Sequence, residues 1–172
     1  MHLVPDTRLN SLAQAEALSA YRFIFRRHAA SPLPYPYPVS STSNRWNAFG
    51  IPMIYCAGSL SLAIVEMQRT VVRQSGYLQF VYFTLAVPAP SIEVLPDEDY
   101  PPDWNSDPQP SSTQKIGSDW QQSHRSLALL VRSARCTEEY NVLINPLHPE
   151  YRTLQASPVM PHPLSFLDPD PS

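Results

Sequence analysis

The chain has 172 residues, enough for one domain that buries a hydrophobic core without a metal ion or a disulfide. Its 43% of hydrophobic residues argue against a disordered chain. Its formal net charge of -3 argues against general binding to nucleic acid or anionic lipid, which needs a surplus of Lys and Arg. Cys56 and Cys136 lie outside any CxxC or Cys/His cluster, so neither a disulfide framework nor a zinc site is indicated.

The N-terminus shows no apolar core behind a basic region, and no apolar run approaches the roughly 18 residues of a membrane span. These observations predict a cytoplasmic protein with no direct nucleic-acid partner and no membrane partner. The length predicts a single domain over residues 1–172.

The first half of the chain is predicted to contain two helices and two strands. Good helix formers with apolar residues at helical spacing predict a helix over residues 11–20, and the run YRFIF predicts a strand over 21–25. The run IPMIYCA predicts a second strand over 51–57. A helix follows it, because the hydroxyl of Ser59 or Ser61 is placed to satisfy a free amide at a helix start.

Two proline-rich stretches are predicted to be loops. Residues 32–38 have proline at every second position, which removes amide donors and favours extended backbone. This stretch is either a rigid surface connector or a lid beside a ligand. Residues 88–117 are dominated by prolines, acids and serines, and they predict a long surface excursion without a motif.

The remaining segments predict three strands and a short helix. The apolar run 78–87 predicts a strand in the centre of its sheet. Ser118 is placed to cap a short helix, and the runs LALLV over 127–131 and NVLIN over 141–145 predict two more strands. Because regular helices do not separate most of these strands, the pattern predicts an α+β fold.

Three polar residues beside apolar strands are candidates for a binding site. The guanidinium of Arg45 matches paired phosphate oxygens, although a surface salt bridge is the alternative. The ring of Tyr55 suits stacking on a flat ligand, and core packing is the alternative. Glu66 interrupts the apolar run SLSLAIVEMQ, where an unpaired carboxylate is costly to bury. It either faces a cleft or pairs with Arg69 or Arg73 on the same helix.

The sequence carries none of the common signatures of nucleotide or metal enzymes. Walker loops, HExxH and GxGxxG motifs are absent from it. Ser133 follows a predicted buried strand without a GxSxG motif, which favours a hydrogen-bonding role over a nucleophile.

Several blocks in order resemble the RES family, toxins of bacterial toxin-antitoxin pairs. RWNAFGIPMIYCAGSLSLAIVEM resembles the family's central motif, and IGSDW, SLALLVRSA, EYNVLINPLHPEY and the PLSF-LD tail follow in the family's order. The resemblance covers about residues 21–168, with 88–117 unmatched in detail. It implies a compact α+β fold like that of ADP-ribosyltransferases, with small, mostly antiparallel sheets and a few short helices around an NAD cleft.

The resemblance also implies an activity and a site. The activity is degradation of NAD by cleavage of the nicotinamide–ribose bond, through hydrolysis or phosphorolysis, with no metal. The residues that match the family's catalytic positions are Glu66, Arg45, Tyr55 and Ser133, and those that match its NAD-binding positions are Arg22, Arg45, Tyr55 and Asn141. The resemblance further implies a cognate Xre-like antitoxin, with a homodimer or a larger complex with that antitoxin as possible assemblies.

Two other functions fit the same residues. The same geometry would serve an ADP-ribosyltransferase that modifies a specific protein. An inactive RES-like module that only binds a partner is the third hypothesis. Loss of a site residue would favour that module, and all four candidate catalytic residues are present.

Overall fold

The computed structural model describes residues 15–33, 42–73 and 76–168, except for the side chains of residues 69–73. The strands in this part of the chain are β1 (Ala17–Phe25), β2 (Ile54–Ala57), β3 (Phe80–Pro88), β4 (Ile92–Val94), β5 (Ala128–Arg132), β6 (Tyr140–Ile144) and β7 (Met160–Pro161). The α-helices are α1 (Leu60–Arg73) and α2 (Ser111–Ser123). Neither helix combines the length and the apolar character that crossing a membrane requires.

The described strands form a seven-stranded sheet in the order β4-β5-β6-β2-β1-β3-β7. The pairs are antiparallel except for β4 and β5, which run parallel. The α+β fold class predicted from the sequence is therefore confirmed.

The sheet opens between β1 and β2. These strands share the single register pair Tyr21 and Ala57, whereas β1 pairs with β3 at nine positions and β2 pairs with β6 at four. The sheet thus divides into two halves joined by a short contact. Such a division leaves room between the halves for a cleft.

Alternating side chains give the sheet two buried faces. On β2, Ile54 and Cys56 belong to a large core with residues of β3, β5 and β6. On the opposite face Ala57 packs against Leu62 and Ala63 of α1. Tyr55 shares this second face with Ala57, so α1 and the side chain of Tyr55 lie on the same side of the sheet.

The helix predicted over residues 11–20 is wrong where the structure describes it. Residues 17–20 belong to β1, and residues 11–14 lie outside the described part of the chain. Because β1 pairs with β3 along its whole length, hydrogen bonds to a distant segment outweigh local helix propensity. The strand predicted over 21–25 is confirmed as the second half of β1.

The excursion predicted over residues 88–117 contains regular structure. It includes β4 and the first seven residues of α2, which begins at Ser111 rather than at Ser118. Ser118 lies inside the helix, and its Oγ accepts a hydrogen bond from the amide of Ala48 at 3.0 Å. The buried face of α2 is built largely of small and polar residues, so the sequence lacked the apolar spacing that indicates a helix.

The other predicted elements are mostly confirmed. The apolar runs around residues 54, 80, 128 and 142 form β2, β3, β5 and β6, and the hydroxyl of Ser59 accepts a hydrogen bond from the amide of Leu62 at 3.1 Å. The strand predicted over 78–87 is confirmed as β3, with a neighbouring strand on each side, but it lies next to the two-residue edge strand β7 rather than in the centre of the sheet. Residues 34–38 of the first proline-rich loop lie outside the described part of the chain.

Candidate active site

Two adjoining hollows meet on the α1 side of the sheet. The larger, of about 510 Å³, lies where β1 and β2 separate, and the smaller, of about 350 Å³, lies beside the loop that precedes α2. Both volumes fall in the range of small-molecule sites. The residues that line both hollows are Asn44, Tyr55, Glu66 and Asn141.

The carboxylate of Glu66 stands at this junction and is held by three donors. Its Oε1 accepts hydrogen bonds from Ser133 Oγ at 2.7 Å and from Asn141 Nδ2 at 3.0 Å. Its Oε2 accepts one from Arg135 Nε at 2.9 Å. The side chain remains 32% exposed, so the carboxylate is fixed and still accessible from the hollows. Glu66 therefore forms an ion pair with Arg135, in the loop between β5 and β6. Arg69 and Arg73, the alternative partners predicted from the sequence, have side chains outside the described part of the structure.

Ser133 is fully buried and organises the loop after β5. Its hydroxyl oxygen accepts hydrogen bonds from the amides of Arg135 at 3.1 Å and Cys136 at 3.3 Å. The same hydroxyl donates its hydrogen to Glu66. Ser133 therefore connects the path of the loop to the position of the carboxylate.

Tyr55 is fixed by a hydrogen-bond network from the RWN segment. Its hydroxyl donates to Asn47 Oδ1 at 2.7 Å and accepts from the amide of Trp46 at 3.0 Å. Burial raises the pKa of Tyr55 well above its ordinary value, so the phenol is neutral at physiological pH. The residue presents a ring in a set orientation to both hollows.

Arg45 lines the smaller hollow and contacts the segment before α2. Its Nη1 donates to the carbonyl oxygens of Trp104 at 2.6 Å and Ser106 at 3.0 Å. Burial lowers the pKa of Arg45, but the ordinary pKa of a guanidinium is so high that the group stays charged. Part of the predicted featureless excursion thereby forms a wall of the site.

Arg22 lies on the other side of Glu66 from Arg45. It lines the larger hollow, and its Nη1 donates to the backbone oxygen of Tyr55 at 2.8 Å. The structure therefore brings five of the six predicted site residues to the walls of one cleft and separates the two arginines between its hollows. Ser133, the sixth, lines neither hollow and is buried behind Glu66.

Sequence reasoning missed several residues of the cleft. Asn47, in the RWN motif, had no role assigned from the sequence. It is buried, and its Oδ1 accepts a hydrogen bond from the Tyr55 hydroxyl. Arg135 follows Ser133 by two positions, but nothing in the sequence indicated its pairing with Glu66. The smaller hollow also contains three polar residues of the segment before α2, which had no sequence signal: Asn105, Asp107 and Gln109.

Within residues 15–33, 42–73 and 76–168, no group of three or more His, Cys, Asp or Glu side chains is arranged to hold a metal ion.

Comparison with known proteins gives the chain a family. The family model of the RES domain matches residues 19–166. The chain belongs to the RES family. Toxin Res of Yersinia enterocolitica is 37% identical over 146 residues, covering 85% of this chain and 93% of that protein. The Prs ADP-ribosylating toxin of a Sphingobium species is 36% identical over 124 residues, covering 69% of this chain and 75% of that toxin.

The RES fold of this chain resembles a solved structure as well. The crystal structure of the M. tuberculosis MbcT-MbcA toxin-antitoxin complex contains a chain that matches with a TM-score of 0.59. The match covers 84% of both chains at 18% sequence identity. This likeness supports the predicted fold class.

Proposed function

We propose that this RES-family chain cleaves the nicotinamide–ribose bond of NAD. The observation that carries the proposal is the position of Glu66, whose carboxylate is fixed by three donors at the junction of two hollows. A carboxylate at such a point stabilises the positive charge that develops on a sugar carbon when a glycosidic bond breaks.

The walls of the two hollows suit different parts of a dinucleotide. The larger hollow mixes polar side chains with the aromatic and apolar residues Phe23, Met53 and Met67, which suit the nicotinamide ring. The smaller hollow is polar and contains Arg45, whose guanidinium suits the diphosphate. Arg22, in the larger hollow, is placed for the ribose that joins these parts.

The proposed reaction begins with departure of nicotinamide. The electron pair of the bond between the ribose carbon and the ring nitrogen leaves with nicotinamide, which becomes neutral. The ribose carbon is left with oxocarbenium character opposite Glu66. A water or phosphate oxygen then bonds to this carbon. Attack by water ends with loss of a proton and gives ADP-ribose.

A protein as the acceptor of ADP-ribose is favoured by the name of one relative. A protein side chain in place of water would make the chain an ADP-ribosyltransferase, and the Sphingobium relative is named an ADP-ribosylating toxin. Both reactions share the cleavage step at Glu66. They differ only in the nucleophile that enters afterwards.

The products of NAD turnover distinguish these acceptors. Purified protein is incubated with adenine-labelled NAD, with and without phosphate and with a lysate protein fraction. Free nicotinamide with ADP-ribose indicates hydrolysis, and a phosphorylated ADP-ribose that requires phosphate indicates phosphorolysis. Label bound to protein indicates transfer. Absence of nicotinamide release under all three conditions would contradict the proposal.

We further propose that the chain acts in the cytoplasm as the toxin of a toxin-antitoxin pair. Relatives named Toxin Res and the fold of the MbcT-MbcA complex support this role. Expression should stop growth and lower cellular NAD, and co-expression of an adjacent Xre-like antitoxin gene should restore growth. Harmless expression at high level would favour an inactive binding module.

A further inference from the structure

Arg135 occupies a position between the catalytic carboxylate and the proposed diphosphate site. Its Nε contacts Glu66 Oε2 at 2.9 Å, and the side chain remains 37% exposed. It lines the smaller hollow together with Arg45. The positive charge of Arg135 acts to lower the pKa of Arg45, which agrees with two guanidinium groups near one space.

The contact with Arg135 conflicts with the proposed task of Glu66. A carboxylate paired with a guanidinium stabilises a developing cation less than an unpaired one, because much of its field is already neutralised. Ser133 and Asn141 are neutral donors and position Glu66 without neutralising it. The ion pair therefore suits the free protein better than the reacting complex.

We propose that Arg135 exchanges partners when substrate binds. Its guanidinium leaves Glu66 and binds the diphosphate group in the smaller hollow, beside Arg45. This inference rests on the proposed function, because it takes a diphosphate-containing nucleotide as the ligand. It makes Arg135 a substrate-binding residue whose movement also exposes the charge of Glu66.

The contacts around Arg135 permit this exchange. Its backbone amide is held by Ser133 Oγ at 3.1 Å, so the loop stays in place while the long side chain turns. Only the Nε contact ties the guanidinium to Glu66, and a guanidinium carries five N–H donors for pairing with phosphate oxygens. Glu66 keeps its hydrogen bonds to Ser133 and Asn141 after Arg135 leaves.

Two carboxylates balance the arginines of the smaller hollow in the free protein. Glu66 pairs with Arg135, and the charge of Asp107 favours the charged form of Arg45. An incoming diphosphate competes with both carboxylates for the same two cations. Removing the charge of Glu66 should therefore help an anionic ligand, whereas removing Arg135 should hinder it.

These opposite effects can be measured by calorimetric titration with ADP-ribose, which retains the diphosphate and needs no turnover. Arg135→Ala should weaken binding by about tenfold or more, as expected for loss of a charge-assisted contact. Glu66→Gln should tighten it severalfold, and this gain should shrink in the double variant. Arg125→Ala is the matched control, since Arg125 pairs with Glu93 through two hydrogen bonds of 2.7 Å and lines neither hollow. It should bind like the wild type.

The outcomes separate the two proposals. Equal binding by wild type and Arg135→Ala would overturn the exchange and leave the proposed NAD cleavage intact. Weakened or unchanged binding by Glu66→Gln would also overturn the exchange, because removing either partner of a purely structural ion pair does not tighten binding. This measurement remains informative even where Arg135→Ala fails to fold. No binding of ADP-ribose to the wild type would also overturn the exchange, whereas the proposed cleavage is tested separately by nicotinamide release from NAD.

Discussion

Ser133 Oγ lies 2.7 Å from Glu66 Oε1, although 67 residues separate the two in the chain. The hydroxyl that donates to Glu66 also accepts hydrogen bonds from two backbone amides of its own loop. The loop between β5 and β6 and helix α1 are thereby joined at the carboxylate. This contact explains how Ser133, which lacks the GxSxG motif of a nucleophile, contributes to the proposed catalytic site.

We expect Ser133→Ala to lower both stability and activity. The change removes the hydrogen bond to Glu66 and leaves two amides without their acceptor, so the free energy of unfolding should fall by about 1–3 kcal/mol. The kcat for NAD cleavage should fall with it, because Glu66 is held less firmly. Denaturant unfolding and nicotinamide release measure the two effects.

Ser112→Ala is the matched control for this prediction. The hydroxyl of Ser112 also donates to a carboxylate, that of Asp103 at 2.9 Å, but on an exposed part of α2. Its loss should leave stability and activity nearly unchanged. Equal effects of the two substitutions would show that Ser133 has no special role.

Gly117 is required by the contact between α2 and the RWN segment. A Cβ at this position would lie 2.0 Å from the carbonyl oxygen of Trp46. Gly117→Ala should therefore separate the helix from the segment that carries Arg45 and lower the free energy of unfolding by about 3 kcal/mol. Denaturant unfolding measures the loss. Ser111→Ala, at the exposed start of α2, should change it by less than about 0.5 kcal/mol.

His162 predicts a pH dependence of stability. The ring is buried between Phe23 and Tyr77, with centroid distances of 4.6 Å to each. Its Nδ1 accepts from the amide of Leu164 at 3.0 Å, so the neutral ring carries its hydrogen on Nε2, which finds no partner among the described residues. Burial lowers the pKa of His162 from its ordinary 6.5, while Asp168 acts in the opposite direction.

The sign of the dependence follows from proton uptake. Below pH 6.5 the unfolded chain binds a proton at His162 more readily than the folded protein does. The free energy of unfolding is therefore retained above this pH and falls as the pH decreases below it. Unfolding at pH 7.5 and 5.5 should show a smaller loss for His162→Phe than for the wild type. His28→Gln, at an exposed histidine, should behave like the wild type. An unchanged pH dependence in His162→Phe would contradict this assignment.

The sequence predicted elements whose signal is local. Apolar runs identified β2, β3, β5 and β6, and the resemblance to the RES family led to the correct fold class. Helix α2 was placed too late because the buried residues of its first half are Thr113 and Gly117, and Trp120 is the one large aromatic side chain on its buried face. The helix predicted over 11–20 failed because pairing with β3 is a contact that no local window contains.

The same limit applied to the site. Glu66 was recognisable because a carboxylate interrupts an apolar run, and its neighbours Ser133 and Asn141 came from the family resemblance. Arg135 was not recognisable, since it pairs with a residue 69 positions away and its own segment is unremarkable in composition. Contacts of this kind depend on the path of the folded chain.

The central claim is that the carboxylate of Glu66 stabilises the positive charge that develops as the nicotinamide–ribose bond breaks, and a pair of isosteric substitutions tests it most directly. Glu66 and Glu93 are both 32% exposed and both pair with an arginine, but only Glu66 lies in the cleft. Nicotinamide release from NAD is measured for the wild type, Glu66→Gln and Glu93→Gln. We predict that Glu66→Gln is slower by about a hundredfold or more and that Glu93→Gln matches the wild type. Equal release by Glu66→Gln and the wild type would contradict the mechanism.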